Sequence, residues 1–270
     1  MGSSARLRLY MNDNGPLILD GGLATELEAQ GAKLQGDPLW SARLLHTNPQ
    51  AIRDAHHRLA LNLIESTSLK EIHLGLGDFT ISVLRLLFFS SKEFKVWHRP
   101  QIDCLAAAGA DLLAFETIPS IKEAEALIEL LREFPNSQAW LSFSCKDGTC
   151  ISDGSSFSEA VQMANRCTQL VAVGVNCCSP ALVEPLLQSA RLLLSPDMSW
   201  VVYPNSGEDW DSEQGWLTSE KTSASISELG HTWMKQGAAL IGGCCRIGPA
   251  HIAELRRELK GSCTSPSSAV

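Results

Sequence analysis

The 270-residue chain has no long hydrophobic run. Its most apolar stretch, ISVLRLLFF at 81–89, is broken by Arg85 and falls well short of the ~20 residues a membrane span needs. The opening MGSSARLRLYMNDNG holds no apolar core of secretory-leader type. It fits a myristoylation signal poorly, because Arg6 stands where Ser or Thr belongs. The expectation is a soluble, cytoplasmic protein with no membrane partner. A basic surplus is also lacking: the formal net charge is −8, which disfavours a nucleic-acid partner. The stretch ELEAQGAKLQGDP contains neither GxGxxG nor a P-loop, so nucleotide phosphates are not indicated. No CxxC pair occurs either, which removes the commonest structural zinc signature.

What is present is an odd number of cysteines, nine, in a chain with no export signal. Disulfides are not expected there, and clustered thiols point instead to metal or catalysis. Cys104, Cys167 and Cys263 stand in helical patterns or in the tail and read as ordinary thiols. Elsewhere, short apolar runs alternate with amphipathic stretches. Six strands are predicted at 16–20, 111–117, 139–145, 170–177, 199–205 and 238–244. Helices are predicted at 48–61, 120–134, 156–167, 179–194, 225–237 and 248–259. Asn48 and Ser120 are the expected caps, and Pro49 suits a first helical position.

Such alternation implies a parallel sheet with helical crossovers, and the length suits one α/β barrel. Residues 62–98 lack the repeating unit, although a closed eight-stranded barrel needs roughly 60 residues for two more units there. The expected fold is therefore a (βα)8 TIM-type barrel, incomplete, with six strands. It occupies 16–260, between an N-terminal extension at 1–15 and a disordered tail at 261–270, and carries an atypical segment at 62–96.

In such barrels chemistry collects at the carboxyl ends of the strands. Those ends read Asp20-Gly21-Gly22, Glu116-Thr117, Asn176-Cys177-Cys178, Asn205-Ser206-Gly207-Glu208 and Cys244-Cys245. Thiolates suit Zn²⁺, and a catalytic zinc commonly takes three protein ligands. Cys177, Cys244 and Cys245 form that candidate set, with Cys178 competing for the place of Cys177. Spacing alone leaves metal ligation and plain buried thiols equally open. Adjacent side chains in a strand point oppositely, so Cys244 and Cys245 converge only if the chain turns. Gly242 and Gly243 are expected to give the backbone freedom for that bend. Asp20 before two glycines, taken alone, reads better as a turn residue than as a site residue. Glu116, ending an apolar strand, needs a partner, which a substrate ammonium would provide. His56 and His57 read as surface or packing residues, and Trp40 as packing rather than pocket.

The segments LDGGLATELEAQG, DPLWSARLL, GADLLAFETIP, VGVNC, YPNSGE and GGCCRIGP, in this order, resemble the homocysteine S-methyltransferases, especially the S-methylmethionine-dependent branch. The resemblance covers 16–61 and about 97–255. It implies a zinc-containing (βα)8 barrel that transfers a methyl group from a sulfonium donor, S-methylmethionine or S-adenosylmethionine, to homocysteine, giving methionine. It implies Cys177, Cys244 and Cys245 as the zinc ligands, with Cys178 a neighbour. It implies Asp20, Gly21, Gly22 and Glu116 as the residues that hold the amino-acid end of homocysteine. In 62–96 the family's second and third strands have no counterpart. The alternative expectation is a catalytically impaired truncated isoform that keeps zinc or associates with itself or a partner through an open sheet edge.

Overall fold

The computed structural model describes residues 14–34, 42–61, 89–107, 109–211, 215–217 and 225–261. Trp40, Cys263, the stretch 62–88 and most of both terminal segments lie outside the described residues, as do the side chains of His56 and His57.

Six strands form one sheet: β1 (Leu17–Ile18), β2 (Leu113–Ile118), β3 (Ala139–Phe143), β4 (Leu170–Asn176), β5 (Ser199–Tyr203) and β8 (Ala238–Ile241). Their order is β1-β8-β5-β4-β3-β2, and every pairing is parallel. All six coincide with predicted strands. The fold is the expected α/β barrel type. Among the described residues β1 and β2 each have one sheet neighbour, so the barrel is incomplete.

The helices predicted between the strands are also present: α3 (Pro49–Leu61), α5 (Ile121–Leu131), α6 (Phe157–Ala164), α7 (Pro180–Ala190), α8 (Ile226–Lys235) and α9 (Pro249–Lys260). Their starts follow from capping chemistry. The Ala51 N–H donates to Asn48 Oδ1 at 3.2 Å, and the Glu123 N–H donates to Ser120 Oγ at 3.2 Å. Ser156–Glu159 and Ser225–Glu228 form reciprocal capping boxes at the starts of α6 and α8.

Sequence patterning missed three helices and one hairpin. Helices α1 (Leu23–Ala29) and α2 (Ala42–Thr47) are only seven and six residues long, too short for a periodic signal. Helix α4 (Ser91–Ala107) contains Pro100, which reads as a breaker although it costs one internal hydrogen bond. Its first turns fall inside the segment treated as atypical. A small antiparallel hairpin, β6 (Asp209–Asp211) with β7 (Gly215–Leu217), follows the fifth barrel strand.

Alternation along the strands makes two cores. Leu113, Phe115, Leu141, Phe143, Val173, Val175 and Val202 face the helices. Leu17, Ala114, Trp140, Ala172, Val201, Tyr203 and Leu240 fill the barrel interior. Gly174 sits on the inner face of β4, where a Cβ would lie 1.8 Å from the Val201 carbonyl oxygen, so the β4–β5 approach admits no side chain there.

Candidate metal and substrate site

The end of β4 is the key local device. Val175 faces the helix layer and Asn176 the interior, as alternation requires. Cys177 would then turn outward, but its backbone adopts φ +52°. This left-handed residue carries its sulfur inward, to 3.6 Å from the Cys245 sulfur. Cys178 returns to the helix-side core, 4% exposed, where its thiol meets Cys145. The competition between Cys177 and Cys178 is thus decided by one backbone dihedral. Such a dihedral in a non-glycine residue is uncommon and strained.

The loop after β5 fixes both cysteine segments. The Cys177 N–H donates to the Tyr203 carbonyl (3.3 Å) and the Cys244 N–H to the Pro204 carbonyl (2.8 Å). The Asn205 N–H donates to the Cys178 carbonyl (2.9 Å) and the Ser206 N–H to the Cys245 carbonyl (3.1 Å).

The two glycines before the cysteine pair act differently from expectation. Neither is left-handed. They permit close approach instead: a Cβ on Gly242 would lie 2.6 Å from Leu19 Cβ, and one on Gly243 2.2 Å from Ile247 Cγ2. Gly21 and Gly22 answer from the other side, with Cβ positions 2.3 Å from the Ile247 oxygen and 2.6 Å from the Cys244 oxygen. The DGG and GGCC loops therefore pack backbone to backbone, joined by Gly22 N–H to Ile247 O (2.9 Å) and Gly243 N–H to Asp20 O (3.1 Å). The left-handed bend falls later, at Arg246 (φ +67°), whose N–H is held by Thr25 Oγ1 at 2.8 Å.

The sulfurs of Cys177, Cys244 and Cys245 all lie within 4.8 Å of one another, and they are the one such metal-ready group among the described residues. A tetrahedral ion with metal–sulfur bonds of about 2.3 Å places its sulfurs roughly 3.8 Å apart. The 3.6 Å separation of Cys177 and Cys245 fits that edge, and three soft donors suit a soft dication. The protonation pattern is uneven. Hydrogen bonds from Cys177 and Cys244 pull the Cys245 thiol down to about 4. Hydrogen bonds with Cys177 and Cys245, together with burial, push the Cys244 thiol well above its ordinary value. One thiolate is thus shared by two S–H donors, an arrangement that a dication replaces.

Beside the sulfurs lie two neighbouring carboxylates, Asp20 buried and Glu116 half-buried. Asp20 is 8% exposed; burial first, then the charge of Glu116, raises its pKa well above the usual carboxylate range. Burial and the same Glu116 charge push the Tyr203 phenol up. Glu116 is re-aimed by an irregularity, since the β2–β3 register shifts between Phe115 and Ile118, and the intervening Thr117 has φ +59°. Below it, Tyr203 OH accepts from Trp140 Nε1–H at 3.0 Å and shares a 2.5 Å hydrogen bond with Ser142 Oγ. Asn176 spans the site. Its Oδ1 accepts from the Thr117 N–H (2.8 Å), and its Nδ2 donates to Thr117 Oγ1 (2.8 Å) and, more weakly, to Cys244 Sγ (4.0 Å).

On the solvent side Arg246 grips Glu208 with two hydrogen bonds, 2.7 and 3.2 Å, which hold that carboxyl below its usual range. Burial raises Glu28, with Arg246 opposing and Cys245 adding to the shift. All the predicted site residues therefore come together at one rim. Sequence reasoning missed Tyr203, Ser142, Trp140, Thr25, Glu28 and Arg246. For the strand residues the missing signal was inward parity, which the alternation of β3 and β5 carries.

Comparison with known proteins agrees with this geometry. A family model described as Homocysteine S-methyltransferase matches residues 17–60 and 74–259. Its second stretch begins well before residue 97, where the quoted motifs resume. Homocysteine S-methyltransferase 3 of Zea mays is 36% identical over 312 residues, covering 92% of this chain and 91% of the relative. Homocysteine S-methyltransferase of Escherichia coli K12 is 31% identical over 318 residues, covering 95% and 99%. Both alignments are longer than the 270-residue chain, so the relatives carry residues that have no counterpart here. The crystal structure of the Escherichia coli homocysteine methyltransferase MmuM in its metallated form superposes with a TM-score of 0.72 at 31% identity, covering 93% of this chain and 98% of that one.

Proposed function

The chain belongs to the homocysteine S-methyltransferase family, a family of enzymes that methylate homocysteine, and on that premise we propose that it is a zinc enzyme using a sulfonium donor. Cys177, Cys244 and Cys245 would hold Zn²⁺. Zinc bound there supplies the positive charge that keeps an incoming thiol deprotonated at neutral pH.

The chain's own residues do the rest. Asp20 and Glu116 receive the ammonium of homocysteine, whose charge offsets the cost of a buried carboxylate beside a half-buried one. Gly21 and Gly22 keep the floor of that site free of side chains and let it abut the sulfur loop. Thr25, Glu208 and Arg246 hold the outer wall in place. The methyl carbon then passes in line from the sulfonium sulfur to the homocysteine sulfur. The breaking C–S bond leaves its electron pair on the donor sulfur, which becomes a neutral thioether, while the acceptor becomes methionine. No residue removes a proton from the methyl group; the site aligns the two sulfurs and excludes water. Eight free cysteines among the described residues suit the reducing cytoplasm, the compartment we assign. No described helix is long and apolar enough to cross a membrane.

The convergence of three sulfurs beside Asp20 and Glu116 carries this reading. The test is metal analysis of the purified chain with methionine formation from homocysteine, S-methylmethionine and S-adenosylmethionine being supplied in separate arms. One zinc per chain and product in at least one arm are expected. A zinc-loaded chain that forms no product with either donor overturns the enzymatic reading. It would leave the second reading, a chain that binds zinc without turnover and associates through β1 or β2. The alignments longer than the chain favour that alternative. Sedimentation of the purified chain detects such association.

A further inference from the structure

The Asn176 side chain touches both halves of the site. It is completely buried, and the contacts described above use both its donor and its acceptor atoms. On one side it clasps Thr117, main chain and hydroxyl together, at 2.8 Å each. On the other it reaches the Cys244 sulfur. Thr117 follows Glu116 directly and holds φ +59°, a conformation a threonine does not keep without support. Cys177, also left-handed, follows Asn176 itself. Three strand ends, those of β2, β4 and β8, thus meet at one amide.

We propose that Asn176 is a positioning residue that sets the distance between the carboxylate receiving the substrate ammonium and the sulfurs receiving the substrate thiol, and so selects a four-carbon amino-acid thiol over shorter ones. The inference rests on the proposed function, since it takes the substrate to be bound at both ends. The physical basis is over-determination. The amide's planar geometry fixes Thr117 through two hydrogen bonds with little freedom left, and Thr117 carries Glu116 with it. Without the amide, the strained Thr117 relaxes toward extended backbone and Glu116 swings with the peptide, while the sulfurs remain held by the loop after β5. The ammonium site then moves relative to the thiol site. A ligand bound at both ends loses affinity, and the penalty for being one methylene short diminishes.

The experiment compares wild type, Asn176→Ala, Thr117→Val and the double variant, all full-length and zinc-loaded. Homocysteine and cysteine serve as acceptors, and zinc affinity is read by competition with a chromogenic chelator. Wild-type turnover is measured first, which separates failure of the functional reading from failure of this one; acceptor binding, read by tryptophan fluorescence, serves if turnover is absent. Asn176→Ala is expected to raise the KM or Kd for homocysteine by on the order of tenfold and to narrow the preference over cysteine. Zinc affinity should fall by about tenfold at most, the low end for loss of an outer contact, because Asn176 reaches the Cys244 sulfur only at 4.0 Å. Adding Thr117→Val to Asn176→Ala should change little further, because the pair acts through one clamp. If Asn176→Ala does not fold, Thr117→Val alone, which removes the hydroxyl half of the clasp, gives the comparison at smaller magnitude. An unchanged homocysteine-to-cysteine preference in the folded variant overturns the proposal. So does full additivity of the two substitutions.

Discussion

Cys177 and Cys178 are chemically identical neighbours with opposite fates. One lies in the sulfur triad and the other in the helix-side core, because only Cys177 is left-handed. Cys177→Ala is therefore expected to weaken zinc binding by roughly 100-fold or more, whereas Cys178→Ala should leave zinc stoichiometry intact and cost about 1 kcal/mol of stability from lost burial. Chelator competition and urea unfolding check the two halves. The triad also predicts a pH dependence. Cys244 is held protonated well above the ordinary thiol range, so zinc must displace its proton. Apparent zinc affinity should accordingly rise with pH and fall in acid, which a chelator titration at several pH values measures.

Asp20 gives the opposite kind of signature. Its folded-state pKa is raised by burial and by Glu116, above the unfolded value. Its ionisation therefore destabilises the metal-free fold. The penalty is absent below the unfolded pKa, grows as pH rises from there to the folded value, and stays in full above it. Asp20→Asn is expected to unfold at a higher temperature than wild type at neutral pH, to match it in acid, and to bind homocysteine more weakly. Thermal scans across pH test the first two outcomes. A stability cost borne for a binding group is what a functional residue, rather than a turn former, would show.

At the scale of elements, periodicity and capping determined nearly everything. The strands were legible because each is an apolar run bounded by polar residues, and the predicted helices because their apolar faces repeat and, apart from α9 with its Gly248 cap, their caps are Ser or Asn. Ser225→Ala breaks the α8 capping box and also releases Ser227, which bonds both Ser225 and Glu254. It should cost about 1 kcal/mol, seen in the denaturation midpoint. Helix α4 was hidden because Pro100 interrupts the pattern while tertiary packing keeps Phe94, His98 and Ile102 buried on both sides of it. Gly174 shows the limit of reading a glycine from sequence. It looks like a weak point in a strand, yet a methyl group there would drive β4 and β5 apart. Gly174→Ala is expected to cost about 3 kcal/mol and to lower Tm with it.

For the whole molecule, the six described strands leave β1 and β2 with one sheet neighbour each, where a closed eight-stranded barrel has two more strands. Replacing 62–96 with the corresponding longer segment of a relative such as the Zea mays enzyme is expected to raise Tm and methyl-transfer activity together, because closure buries two edges and completes the pocket wall. Parallel tests on the original and the replaced chain give the comparison. The linear sequence by itself determined the α/β alternation, the six strands and the rim on which the polar and thiol residues stand, because local periodicity and capping chemistry are properties of short segments. Only the tertiary structure decided which of two adjacent thiols faces inward, that the glycines of both loops serve close approach, and that Asn176 links Thr117 to Cys244. Those facts depend on single dihedrals and on contacts between strands far apart in sequence, and no short window contains them.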